Sequence, residues 1–120
     1  MLASSMTAAF EPVRYLDHAV IAVGYTGIGT EIQFPARLVT FKNWTDVDLM
    51  FSLDGVHDHV PVAANTDEVY DVCSNTYITP ISGMLAFPAG TRFYVKQIAG
   101  AGAPNDKGVY IQVLYGSEQL

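Results

Sequence analysis

Residues 36–53 read ARLVTFKNWTDVDLMFSL, and the alternation in this stretch decides the fold class. Val39 and Phe41 share one face of a strand, because side chains two residues apart point the same way. Residues 43–46, Asn-Trp-Thr-Asp, give a turn signal, and residues 47–53 alternate again. Alternation on both sides of a turn predicts an antiparallel hairpin.

The same two-residue period recurs along the rest of the chain. Turn signals separate the segments, among them Asp54-Gly55, the Pro-Ala-Gly of residues 88–90 and the loop AGAGAPNDKG at 99–108. Several short strands without an amphipathic helix predict an all-β protein, either a single antiparallel β-sandwich or a jelly-roll-like barrel. The further strands are predicted at residues 18–24, 68–74, 91–98 and 109–116.

The first 17 residues differ from the remainder, since they have no sustained period and contain Pro12. They predict an extended N-terminal arm over residues 1–17, followed by a sandwich domain over residues 18–120. Aromatic residues in an arm are suited to burial against another subunit. Phe10 and Tyr15 are therefore candidate subunit contacts.

Charge and composition exclude several classes of function. Six Lys and Arg stand against twelve Asp and Glu, a formal charge of −6, and the basic residues do not cluster, so neither direct nucleic-acid binding nor docking on anionic lipid is expected. The longest apolar run, residues 19–23, is too short to cross a bilayer, and no signal peptide is expected. The single cysteine, Cys73, excludes an internal disulfide and a multi-cysteine metal site.

Two of the three histidines lie close together in FSLDGVHDHVPV, residues 51–62. On a strand, His57 and His59 would face the same side and could bind one metal ion. With Gly55 and Glu68 they resemble the first motif of cupin metalloenzymes, but the spacings differ, and Phe93 stands where the second motif has a histidine. An apolar ring cannot ligate a metal, so we expect no metal and no cofactor.

The histidine segment is therefore predicted as a polar turn, and a cupin-like metalloenzyme is the least favoured alternative. His57 and His59, together with Tyr25 in the preceding glycine-rich segment, are further candidate subunit contacts. Gly24, Gly27 and Gly29 precede no helix signal, so residues 24–30 are predicted as a mobile loop between strands and not as a phosphate site.

No local signature of catalysis is present, and we expect a protein without enzymatic activity. The candidate nucleophiles lack a G-x-S-x-G context; they are Ser52, Cys73, Ser74 and Ser82. Tyrosine is the commonest aromatic residue, which keeps a carbohydrate-binding β-sandwich as an alternative. Its candidate stacking residues are Tyr25, Tyr77, Tyr94, Tyr110 and Tyr115.

Three segments of the sequence resemble those of a known family. They are RLVTFKNWTDVDLMFSLDG (37–55), FPAGTRFYVKQ (87–97) and GVYIQVLYG (108–116). This succession resembles small structural proteins of tailed-phage virions, with the patterns R-h-h-x-h-x-N-x-T-D-x-x-h-x-h-S-x-D-G, P-x-G-T-x-h-Y-V-K and V-Y-h-x-V-h-Y-G, where h is apolar. The resemblance covers residues 37–116.

The resemblance implies a non-enzymatic component of a phage particle, made in the host cytoplasm and located in the virion. Its implied role is an auxiliary capsid protein, of the decoration or cement type, that forms homo-oligomers and binds the major capsid protein or other virion proteins. A head-tail connector or a tail component is the alternative position in the particle.

Overall fold

The computed structural model describes residues 5–72 and 86–119, which form nine strands and one short 3₁₀ helix, His18–Val20. No helix in these ranges has the length and apolarity needed to cross a membrane. The strands are β1 (Ser5–Phe10), β2 (Arg14–Asp17), β3 (Thr26–Ile28), β4 (Ala36–Asn43), β5 (Leu49–Ser52), β6 (Val60–Val62), β7 (Thr66–Asp71), β8 (Phe93–Gln97) and β9 (Gly108–Gln119).

The strands form two antiparallel sheets packed together, which confirms the predicted β-sandwich. In the first sheet the order is β1, β9, β4, β7, and β2 pairs with β9 on the same side as β1. In the second sheet the order is β3, β8, β5, β6. The strand predicted at 36–43 is β4, β8 lies in the segment predicted at 91–98, and β9 contains the segment predicted at 109–116 and extends beyond it.

The core lies between the sheets and follows the two-residue period. Phe41 of β4 makes edge-on contacts with Phe51 of β5 and Phe93 of β8, at ring-centroid distances of 5.5 and 5.8 Å. Full burial of one such ring contributes roughly 1.5–3 kcal/mol. The other large apolar side chains that are fully buried in the central strands are Val39, Leu49, Val95, Val109, Ile111 and Val113.

The predicted hairpin at residues 36–53 is wrong, because β4 and β5 belong to different sheets. The cause is Asn43, which is fully buried at the end of β4. Its amide nitrogen donates to the carbonyl oxygens of Val47 (2.9 Å) and Val62 (3.0 Å), and its Oδ1 accepts hydrogen bonds from Thr45. This network directs the chain across the core instead of back along β4.

The predicted strand at 18–24 is also wrong. Asp17 accepts a hydrogen bond from the backbone N–H of Ala19 (3.0 Å) and begins the 3₁₀ turn, after which Ile21 enters the core. The strand in this part of the chain is β3, which lies inside the glycine segment predicted as a mobile loop. It pairs with β8. Gly27 lies beneath the guanidinium of Arg92, the residue that precedes β8.

The N-terminal segment is extended over its described part, residues 5–17, and pairs with β9 of the same chain. The register runs from Ser5 opposite Gln119 to Phe10 opposite Leu114, and it resumes with β2. At the other edge, β7 overlaps the strand predicted at 68–74. Cys73, Ser74, Tyr77 and Ser82 lie outside the described residues.

Candidate functional site

The histidine segment is a loop between β5 and β6, organised around the carboxylate of Asp54. Oδ1 of Asp54 accepts hydrogen bonds from the backbone N–H groups of Val56 and His57, both at 2.8 Å, and from Oγ of Ser52. Oδ2 lies 2.7 Å from Nδ1 of His57. These hydrogen bonds, led by the His57 amide, lower the pKa of Asp54 well below its ordinary value.

His59 is held by a different contact. The backbone N–H of Leu53 donates to Nδ1 of His59 at 3.0 Å. A nitrogen that accepts a hydrogen bond carries no proton, so the neutral ring has its proton on Nε2. Neither ring nitrogen of neutral His59 is then free to bind a metal while this contact persists.

Asp54, His57 and His59 place one potential ligand atom each within 4.8 Å of the others. Ligands at the usual 2.0–2.1 Å from a tetrahedral zinc lie only about 3.3 Å apart. Both oxygens of Asp54 and Nδ1 of His59 already accept hydrogen bonds, so a metal ion would have to compete with these contacts. The arrangement is that of a hydrogen-bonded turn.

Tyr25 connects the glycine segment to the histidine loop. Its hydroxyl donates to Oδ1 of Asp58 at 2.5 Å, and Nζ of Lys96 lies 4.7 Å from the centre of its ring. Lys96 also contacts Asp58 at 3.0 Å. Burial, followed by the Asp58 contact, raises the pKa of Tyr25 far above its ordinary value. The candidate contacts Tyr25, His57 and His59 thus lie together beside the second sheet.

The second feature is the outer face of the first sheet, meaning the side that points away from the core. Residues directly opposite each other in neighbouring antiparallel strands share a face, so the register defines its members. One row across the strands joins Tyr15, Tyr110, Lys42 and Asp67. The other members include Ala8, Phe10, Asp17, Leu38, Thr40, Val69, Asp71, Gln112 and Leu114, and Trp44 lies against Tyr110.

Large apolar side chains on this outer face are unusually exposed. The exposed fractions are 60% for Phe10, 56% for Val69, 44% for Tyr15 and 42% for Trp44. Tyr15, Tyr110 and Trp44 form a continuous aromatic row, with ring centroids 4.7 Å apart at both contacts. Exposed apolar surface collected on one face is typical of a contact surface.

A cleft of about 540 Å³ adjoins the outer face at the break between β1 and β2. Its rim includes Phe10, Val13 and the stacked pair Phe34 and Tyr115, whose centroids are 4.5 Å apart. Apolar side chains therefore continue from the sheet onto the rim of the cleft.

The lining of the cleft includes a buried ion pair between Arg14 and Glu11, 2.7 Å apart. Glu11 also accepts hydrogen bonds from the backbone of Gln33 and Phe34, and Arg14 donates to the carbonyl oxygen of Thr30. Burial raises the pKa of Glu11, but the hydrogen bonds from Arg14 and the two amides outweigh it, so the net pKa is lowered. Because these charged groups have partners within the fold, their role is structural.

The five predicted contact residues fall into two places. Phe10 and Tyr15 lie on the outer face, whereas Tyr25, His57 and His59 lie beside the second sheet. Sequence reasoning missed Trp44 and Val69 on the outer face. The tyrosines proposed for a glycan are divided as well, since Tyr110 belongs to the first sheet and Tyr94 to the second.

No protein-family model, curated protein or solved structure matches the chain.

Proposed function

We propose that this chain is a non-enzymatic structural protein of a tailed-phage particle, an auxiliary capsid protein of the decoration or cement type. The outer face of the first sheet is the surface by which it binds the major capsid protein or another virion protein. The observation that carries this proposal is the exposure of Phe10, Tyr15, Trp44 and Val69 on one face of one sheet.

Binding is favoured over catalysis by the groups that could react. His57 and Asp54 hydrogen-bond each other, and His59 accepts a backbone N–H, so their geometry supports the loop. By contrast, exposure of the apolar groups of the outer face to water is unfavourable, and burial against a partner would lower their free energy. An assembly protein needs such a surface on a rigid scaffold.

The phage context comes from the sequence resemblance. Its three segments contain β4, β5, β8 and β9, the inner strands of the two sheets. The resemblance therefore concerns the scaffold, while the outer face supplies the binding surface. A head-tail connector or tail position uses the same scaffold and the same face.

Purified particles of the phage that encodes the chain test this proposal. Quantitative mass spectrometry should find the chain in the particle in a fixed ratio to the major capsid protein. Its absence from intact particles would overturn the proposal.

A variant pair tests the surface. Val69→Asp places a charge on the outer face and should reduce attachment to particles that lack the protein. Val56→Asp makes the same change at an exposed position of the histidine loop and should attach normally. Equal attachment of both variants would argue against the outer face.

The aromatic row favours a second candidate function, a carbohydrate-binding β-sandwich. Flat rings with exposed faces pack against the apolar faces of sugars, and Tyr15, Tyr110 and Trp44 are contiguous. A glycan array should then give a ligand whose binding is lost in Trp44→Ala and kept in Tyr94→Ala. An array without binding would remove this candidate.

A further inference from the structure

The sandwich has four strand edges, and edge strands present unpaired backbone groups that can pair with another chain. In the described part of the chain, β7 and the strand pair β1 and β2 form the edges of the first sheet, while β3 and β6 form those of the second. These edges differ in how well their sequences discourage pairing.

Three edges carry features that oppose strand addition. β6 has Pro61 at its centre, which removes a backbone donor. β3 is only three residues long and contains Gly27. β7 carries three acidic residues in six positions, TDEVYD, and like charges oppose pairing with another acidic chain.

β1 has none of these features. Its sequence, SMTAAF, contains no charge and no proline over six residues. Its register with β9 is unbroken from Ser5 to Phe10. In an antiparallel ladder, alternate residues direct their N–H and C=O groups away from the paired strand, so about three residues of β1 present both groups outward.

We propose that β1 pairs antiparallel with β1 of a second copy of this chain, which joins the first sheets of two copies about a twofold axis. The inference names one partner of the proposed assembly protein and in that sense rests on the proposed function. The chain as a whole has a charge of −6, so two copies repel each other over most of their surfaces. At the β1 edge, identical strands of six residues meet without like charges opposite one another, whereas the uncharged edges β3 and β6 are three residues long.

The neighbouring residues are compatible with this pairing. Glu11, which follows β1, is neutralised by its ion pair with Arg14. The one acidic residue that β9 places opposite β1 is Glu118, which lies one strand away from the new pairing. In an antiparallel pair the end of one β1 lies beside the start of the other, so the second copy covers part of the exposed ring of Phe10.

Sedimentation equilibrium on the full chain tests the pairing. A chain of 13.0 kDa should approach twice that mass, 26.0 kDa, as its concentration rises to about 100 µM, where a micromolar dimer is populated. Ala8→Lys puts a positive charge on each of the two facing strands and should weaken the dimer by about tenfold or more. A wild-type chain that stays at 13.0 kDa throughout would overturn the inference.

Ala63→Lys is the matched control, because it makes the same change at an exposed position directly after β6, away from β1. It should keep the wild-type dimer. Equal association of Ala8→Lys and wild type would overturn the pairing, as would equal weakening by both variants.

Hydrogen-deuterium exchange provides a readout that needs no variant. Protection of the amides of residues 5–10 should increase with wild-type concentration, while the amides of residues 66–71 should exchange at a constant rate. Concentration-independent exchange at 5–10 would contradict the proposal. If the chain is present in particles but monomeric, only the β1 pairing is overturned. If it dimerises but is absent from particles, the proposed function is overturned.

Discussion

At the scale of single residues, buried polar side chains determine the path of the backbone. Asn43 is fully buried and uses both ends of its amide: the nitrogen binds two carbonyl oxygens, and the oxygen binds Thr45. A buried polar group without partners is costly, so such a network is formed completely or avoided. The crossing from β4 to β5 therefore depends on the side chain of this one residue.

Replacing Asn43 by alanine should destabilise the fold by about 2–4 kcal/mol, because it removes the hydrogen bonds of the amide to the buried carbonyl oxygen of Val62 and the backbone N–H of Thr45. Urea denaturation monitored by fluorescence measures the loss. Asn105→Ala, at an exposed loop position, should change stability by less than about 0.5 kcal/mol. Equal stability of the two variants would contradict the role of the amide.

The ion pair between Arg14 and Glu11 joins the break in the N-terminal edge to the segment after β3. Arg14→Met keeps the aliphatic stem but leaves Glu11 charged and buried, which should cost about 3 kcal/mol. Arg92→Met removes an exposed guanidinium that lies over Tyr94, and should cost less than about 1 kcal/mol. Similar thermal unfolding of the two variants would show that the buried pair does not stabilise the fold.

Asp54 gives the histidine loop a defined dependence on pH. Its pKa in the folded protein lies below the ordinary value of 3.8. A carboxylate whose pKa is lowered by folding stabilises the fold above about pH 4 and loses that contribution as the pH falls through its folded pKa.

Asp54→Asn should therefore be less stable than wild type at pH 7, and the difference should shrink as the pH falls from about 5 to 2.5. Urea denaturation at several pH values measures both curves. Asp17 and Asp58 also have lowered pKa values and add a slope common to both proteins. Parallel curves would exclude this contribution of Asp54.

At the scale of elements, the N-terminal edge strands are positioned by close backbone contacts along β9. Gly108 begins β9 opposite Asp17, and a Cβ at this position would collide with the carbonyl oxygen of Leu16 and the ring of Tyr15. The lack of a side chain at Gly108 thus allows β2 to approach β9.

Gly108→Ala should displace β2 and lower stability by about 1–3 kcal/mol, the usual range for overpacking. Hydrogen exchange should show faster exchange of the amides of residues 14–17. Gly24→Ala is the control, because a Cβ there meets nothing within 4 Å. If the two variants are equally stable, the close contact is not a constraint on β2.

At the scale of the whole molecule, three surfaces have different characters. The outer face of the first sheet exposes large apolar and aromatic side chains beside the Lys42–Asp67 ion pair, the β1 edge is uncharged, and the end of the second sheet carries the hydrogen-bonded histidine loop. The proposed binding to a virion protein uses the outer face, and the proposed pairing with a second copy uses the β1 edge. The acidic remainder discourages other contacts.

The net charge also predicts how salt affects the proposed dimer. Two chains of charge −6 repel, and salt screens this repulsion, so association should strengthen as NaCl rises from about 0.05 to 0.5 M. Sedimentation equilibrium across this range measures the change. A dimer that weakens with salt would instead be held by ion pairs, which the β1 edge does not contain.

The sequence by itself determined the fold class and the principal strands. Alternation of buried and exposed residues is local, and it located β4 over residues 36–43 and placed Val39 and Phe41 in the core. Turn chemistry likewise located the loop at 99–108. These features depend on neighbours two to four residues away, which a single sequence displays.

Only the tertiary structure decided which strands are neighbours. The turn after Asn43 has the composition of a hairpin turn. The side chain of Asn43, however, hydrogen-bonds to Val62 on another strand, and β5 lies in the second sheet. The composition of the outer face could not be predicted from the sequence either, because Tyr15 contacts Tyr110 only when β2 pairs with β9. Contacts between residues distant in sequence depend on register, which side-chain alternation leaves open over several two-residue shifts.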